Sequence, residues 1–178
     1  MNYLEYVVKM NTSNNIDLFL PKPNNTDYFA NTLGTTILIK NKKPIRIYLT
    51  GEIGTGKTTF ARSFLKTIGV IDKIKSPSYS ILEQYNIDNL NIYHFDFYRL
   101  NHHMEFLDLG FKDLLYEKAI FLIEWPEKTK EFLPTPDIEI SFQCYKEGRI
   151  AKVLARTIQG IEWMKIMETK NINLQYLL

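Results

Sequence analysis

An α/β fold with a mixed central sheet flanked by helices in three layers is what this sequence predicts, and three observations predict it. Strand-like and helix-like runs alternate along the chain, the pattern of a sheet covered by helices. The nine residues Gly51-Glu52-Ile53-Gly54-Thr55-Gly56-Lys57-Thr58-Thr59 fit G-x-x-x-x-G-K-[ST] and join an apolar strand to an amphipathic helix. The run Ala119 to Glu124 is almost wholly apolar and ends in an acid, as a buried central strand would. Together these define a P-loop NTPase-type three-layer fold. With 178 residues, the chain reads as one domain, 1–178, able to bury a core around that sheet.

Taken in order, Tyr3 to Val8 could form a first strand. The segment 1–25 is otherwise poorly defined, and Asn11 to Asn25, rich in Asn and Pro, reads as a loop. Thr26 is placed to cap a helix whose apolar face holds Phe29, Ala30, Leu33 and Ile37. Ile45 to Thr50 is the β-branched and aromatic strand before the loop. After the loop, Phe60, Ala61, Phe64, Leu65 and Ile68 fall on one helical face, stopped by Gly69. Ser80 to Ile87 and Asn91 to Asp96 read as a hairpin around Asp88-Asn89-Leu90. Met104 to Tyr116 has helical spacing, with Leu107, Phe111, Leu114 and Leu115 aligned. Ile138 to Tyr145 and Ile150 to Thr157 form a second hairpin around Glu147-Gly148, and the tail 161–178 is weakly helical.

Composition narrows the function. The chain is 45% hydrophobic and 24% charged, ordinary for a globular protein, and its net charge is only +2. A bulk electrostatic case for nucleic acid is therefore missing. The densest basic cluster, Lys40, Lys42, Lys43 and Arg46, reads as a solvated face or a contact surface. Cys144 is the only cysteine, so no intramolecular disulfide can form, and its alternating surroundings make it a strand residue. No run approaches the roughly 20 apolar residues of a membrane span. The first residues lack a signal-peptide layout, so a cytoplasmic, non-membrane protein is expected.

The loop carries the chemistry. At a helix N-terminus, unpaired N–H groups and the helix dipole favour an anion. Gly51, Gly54 and Gly56 let the backbone wrap a phosphate, with Thr55 and Thr59 in the same cradle. Lys57 reaches the β/γ-phosphates and the Thr58 hydroxyl ligates Mg²⁺. The remaining groups should come from carboxyl ends of neighbouring strands. Asp96 and Glu124 stand there, each either a site acid or a cap of the next turn. His94 shares Asp96's face of the strand, as a ligand or as a hydrogen-bonded structural histidine, whereas His102 and His103 fall in a polar turn. Ser76-Pro77-Ser78-Tyr79 is either a γ-phosphate-sensing segment or a plain proline turn.

The ordered set GEIGTGKTT, KSPSYSILEQY, YHFDFYRL, EFLDLGF and IEWPEK resembles the bacterial tRNA threonylcarbamoyladenosine biosynthesis family TsaE, also called YjeE, from about Thr26 to Thr157. Glu52, Ile53 and Thr55 stand where the family loop usually has Asp, Leu and Ala, and Ser78 where it has Thr. The resemblance implies that Lys57 and the amides of Gly54, Thr55 and Gly56 bind the phosphates of ATP. It implies that Thr58 and Asp96 hold Mg²⁺, and that Glu124 acts near the metal and the attacking water with Trp125 beside it. Ser78 would lie in the switch-like segment, and the region around Thr26 near the adenine. The implied partners are TsaD and TsaB, which transfer a threonylcarbamoyl group to tRNA, so the resemblance implies tRNA as an indirect partner through that complex.

Two other classes compete with a partner-dependent ATPase. A small-molecule kinase needs an acceptor pocket and usually an arginine-bearing lid; between Asp96 and Ala119 only Arg99 is present. The third class is an interaction module that binds ATP but barely hydrolyses it; the complete set Lys57, Thr58, Asp96 and Glu124 argues for turnover, though only weakly against slow turnover. A GTPase is disfavoured because no N-K-x-D motif occurs.

Overall fold

Among the residues that the computed structural model describes, 14–40 and 44–170, seven strands form one mixed sheet. In chain order the elements are β1 (Asn15–Leu20), α1 (Pro23–Lys40), β2 (Ile45–Thr50), α2 (Lys57–Thr67), β3 (Leu82–Ile87), β4 (Leu90–Asp96), α3 (Met104–Asp108), β5 (Ile120–Glu124), β6 (Ile138–Tyr145), β7 (Gly148–Ala155) and α4 (Ile158–Lys170). Short 3-10 turns lie at Leu114–Tyr116, Pro126–Lys128 and Lys130–Phe132. The sheet order is β1-β7-β6-β2-β5-β4-β3. The four central strands β6, β2, β5 and β4 are parallel, and β3, β7 and β1 extend the sheet antiparallel.

Period-two alternation divides the strands between two cores, one on each sheet face. Ile47, Leu49, Ile120, Leu122 and Ile140 pack with α1, α2 and α4 residues such as Phe29, Leu33, Phe60, Phe64 and Trp163. Tyr48, Tyr93, Phe95, Phe121 and Ile123 pack on the opposite side with Phe106 of α3 and Leu115. Helices therefore cover both faces, which is the predicted three-layer arrangement. The crystal-like density of such a core makes each large side chain a substantial stabiliser, about 1.5–3 kcal/mol of burial apiece.

Several boundaries differ from the sequence reading. Asn11 to Asn25 is not a loop throughout: Asn15–Leu20 pairs antiparallel with β7, burying Ile16, Leu18 and Leu20 alternately. Helix α1 begins at Pro23, so Thr26 lies inside its first turn and does not cap it. Proline suits that first position because its missing N–H would be unpaired there anyway. The Lys22 amide donates to Asn25 Oδ1 (3.1 Å), and the Asn25 amide donates back to the Lys22 carbonyl (3.0 Å). The Met104 to Tyr116 helix is only five residues long before Gly110, at φ 72°, ends it, with a 3-10 turn following at Leu114. The β3–β4 turn uses Asp88 (φ 46°) and Asn89 (φ 66°), and β6–β7 closes at Lys146 (φ 51°), so both hairpins exist. Their bounds differ: β3 starts only at Leu82, Leu90 and Gly148 already belong to strands, and β7 ends at Ala155. Tyr3 to Val8, Lys42, Lys43 and the tail from 171 lie outside the described residues. Arg46 folds onto the protein: its Nη2 donates to the Leu115 carbonyl (2.8 Å) and its guanidinium lies over the Phe121 ring.

Candidate functional site

The loop between β2 and α2 is held shut by its own groups. Gly56 caps α2 in the left-handed conformation, φ 107°. The Lys57 ammonium donates to the carbonyls of Gly51 (2.5 Å) and Glu52 (2.8 Å) and sits 4.0 Å from the centre of the Trp125 ring. Burial lowers the Lys57 pKa below the ordinary lysine value, with Glu124 pulling it the other way. The Thr55 hydroxyl and amide both donate to the Glu52 carbonyl (2.8 and 3.4 Å), so this buried residue braces the loop.

Parallel pairing of β4 with β5 puts Asp96 directly beside Glu124 at the strand ends, next to β2. Ile92, His94 and Asp96 share the face of β4 that looks toward α2, as Ile120, Leu122 and Glu124 do on β5. Thr58, in the first turn of α2, donates its hydroxyl to Glu124 Oε2 (2.9 Å). The other carboxylate oxygen, Oε1, is 3.0 Å from His94 Nε2, and both residues are almost fully buried. His94 is thus a hydrogen-bonded partner of an acid and does not face solvent. Asp96 Oδ1 accepts from the Tyr98 amide (3.0 Å). Burial raises the Asp96 pKa above the usual carboxylate value, partly offset by that amide and reinforced by Glu124.

Lys57, Thr58, Asp96 and Glu124 line one open cleft of about 280 Å³, together with Ile53, Gly54, Gly56, Thr59, Ser76, Ser78, Tyr98 and Trp125. The Ser76–Tyr79 segment is anchored to the acids through Ile81. Its amide donates to the Pro77 carbonyl (2.7 Å) and its carbonyl accepts from the Asp96 amide (2.9 Å). Ile81 has φ 66°, a strained value for a β-branched residue. Arg99 stacks over the Tyr79 ring at 4.0 Å, adding a second tie. Trp125 is also left-handed, φ 59°, and its ring meets Tyr98 at 5.0 Å. Of the expected site residues, Thr26, Thr55 and Gly51 do not line the cleft: the Thr26 side chain is fully buried and its hydroxyl has no partner, and Thr55 is buried within the loop. Gly51 also lies behind the wall, packed toward the Phe142 carbonyl of β6. Tyr98 and Arg149 were not singled out from sequence. Tyr98 stood within the H-x-D-x-Y-R-L motif, whereas Arg149 had no local signal.

The donor set suits Mg²⁺. That ion keeps several waters and takes one or two carboxylates plus phosphate oxygens. Among the described residues no three His, Cys, Asp or Glu side chains converge as a metal cage. A hydroxyl at Thr58 and the two acids Asp96 and Glu124 are the oxygen ligands on offer, and a desolvated Asp96 favours a cation beside it.

A parallel-centred sheet with a phosphate loop at a helix N-terminus defines a phosphate-loop protein. The family model described as "Threonylcarbamoyl adenosine biosynthesis protein TsaE" matches residues 20–153. The tRNA threonylcarbamoyladenosine biosynthesis protein TsaE of Haemophilus influenzae is 41% identical over 126 residues, 70% of this chain and 80% of that protein. The Bacillus subtilis protein of the same name is 35% identical over 92 residues, 52% of this chain and 57% of that one. In fold, the crystal structure of Bacillus subtilis YdiB matches with a TM-score of 0.71 at 23% identity, covering 88% of this chain and 96% of that one. The chain belongs to the TsaE family of threonylcarbamoyladenosine biosynthesis proteins. No described helix is long and apolar enough to cross a membrane.

Proposed function

We propose that this chain binds ATP with Mg²⁺ and hydrolyses it in the cytoplasm, in complex with TsaD and TsaB, in support of threonylcarbamoyladenosine modification of tRNA. One observation carries the reading: Lys57, Thr58, Asp96 and Glu124, from three separate elements, line the same cleft at the phosphate loop. In this reading the amides of Gly54 to Gly56 and the α2 N-terminus receive the phosphates. Lys57 exchanges its two loop carbonyls for phosphate oxygens. Thr58 and Asp96 would hold the metal, which would supply charge stabilisation for phosphoryl transfer. Glu124, fixed by Thr58 and His94, orients the attacking water and accepts its proton. Ser78 presents its hydroxyl from the strained switch-like segment toward the terminal phosphate.

Phosphoryl transfer depends mostly on positioning and charge stabilisation, and a group supplied in trans can be worth ~10³–10⁵ in rate. Weak ATP hydrolysis alone and a large increase with TsaD and TsaB are therefore expected in a phosphate-release assay. Equal rates with and without the partners would refute the partner-dependent mechanism. Lys57→Ala should abolish productive ATP binding. Glu124→Gln should retain ATP in a binding titration while hydrolysing it about 10²-fold or more slowly. Normal hydrolysis by Glu124→Gln would strip Glu124 of the water-orienting role.

A further inference from the structure

Arg149 lies outside the set that the loop motif and the two acids define. It follows Gly148 at the start of β7, and its side chain crosses to the phosphate loop. A Cβ built on Gly56 would lie 1.9 Å from Arg149 Nη1, 3.0 Å from Cζ and 3.3 Å from Cδ. The guanidinium and its stem therefore occupy the space that any side chain at position 56 would need. Among the described residues, Arg149 is half-buried and its guanidinium makes no hydrogen bond or ion pair.

An unpartnered, partly desolvated cation is costly, and Gly56, which it lies against, does not relieve it. Gly56 is the N-cap of α2, where the helix dipole is positive. Arg149 and that helix end are mutually unfavourable until an anion joins them. A planar fork of N–H donors is also the side chain best shaped to grip phosphate oxygens.

The side from which Arg149 arrives says which phosphates it meets. β7 pairs with β6 and β6 with β2, so Arg149 reaches the loop from the β6 flank. Asp96 and Glu124 reach it from β4 and β5, on the other flank of β2. The end of the nucleotide that reacts belongs with the acids, leaving the inner phosphates for Arg149. We propose that Arg149 is a nucleotide-binding residue that clamps the phosphates common to ATP and ADP. The inference rests on the ATP reading above and adds to it a second cation besides Lys57. It also gives position 56 a second reason to be glycine, beyond its left-handed backbone.

Calorimetric titration of ADP and of a non-hydrolysable ATP analogue, each with Mg²⁺, tests this on the full chain. Arg149→Met keeps an unbranched stem against Gly56 and removes the charge. Arg149→Gln, measured beside it, guards against a packing fault peculiar to one replacement. Both variants should lose affinity for ADP and for the ATP analogue by the same factor, about tenfold or more, as expected for a charge-assisted contact. Unchanged affinity in both variants, with binding lost in Lys57→Ala, would overturn the Arg149 assignment and leave the ATP reading intact. Loss for the ATP analogue alone would also overturn it, because Arg149 would then meet only the terminal phosphate. If the unmodified protein bound neither nucleotide, the ATP reading and the Arg149 clamp would fall together.

Discussion

Glu124 is committed at both oxygens within the protein itself. Thr58 donates to one, and with a carboxylate at Glu124 the proton of His94 resides on Nε2 and points to the other. The opposite ring nitrogen, Nδ1, is buried with no partner, which is tolerable for a bare lone pair and expensive for a donor. Asp96 is less supported: one amide serves it, and burial raises its pKa. A raised value means the folded state holds the Asp96 proton more tightly than the unfolded chain does. Asp96 therefore favours folding most below the unfolded carboxyl pKa of about 4 and erodes stability as pH rises through its raised value. In metal-free buffer, Asp96→Asn should raise Tm at pH 7, with the gain vanishing below about pH 4. A lower Tm for Asp96→Asn at pH 7 would contradict the account. The residue proposed to hold a cation is then one that the fold by itself would do better without.

At the scale of elements, legibility followed local chemistry. The β2–loop–α2 unit could be read because strand pattern, glycine spacing and helical face were contiguous, and Phe60, Ala61, Phe64, Leu65 and Ile68 are all buried as the periodicity required. Both hairpins were legible from their turn residues. β1 was not: its Ile16-Leu18-Leu20 alternation was hidden between asparagines and prolines, and only pairing with β7 gives those residues a face to bury. α3 was read too long because Leu107, Phe111, Leu114 and Leu115 do keep helical spacing, but Gly110 turns the chain between them. α4 extends the weak signal from Ile161 back to Ile158. What fixes it is tertiary, since Trp163 is fully buried against the α1 side of the sheet and its ring N–H has no partner. Its value is therefore apolar packing alone. Trp163→Ala should cost about 3–5 kcal/mol in urea unfolding, and a loss below about 1 kcal/mol would show that α4 is only loosely docked.

For the molecule as a whole, the sheet order decides what a linear reading can find. β2 lies between β5 and β6, so the phosphate loop is approached from two flanks by segments distant in sequence. One flank carries Asp96 and Glu124, which a phosphate loop leads one to seek at neighbouring strand ends. The other carries Arg149, one of three basic residues in the β6–β7 hairpin with Lys146 and Lys152, which nothing local distinguishes. Thr26 shows the reverse case, a residue expected at the site that folding places inside α1. The fold also has an optical consequence. The chain contains two tryptophans. Trp163 is sealed in the core, so its emission stays constant while the native structure persists. Trp125 lies under the Lys57 ammonium, and its fluorescence must change when that charge leaves its ring for another anchor. The protein thus carries its own dye at the loop, with an internal reference some strands away.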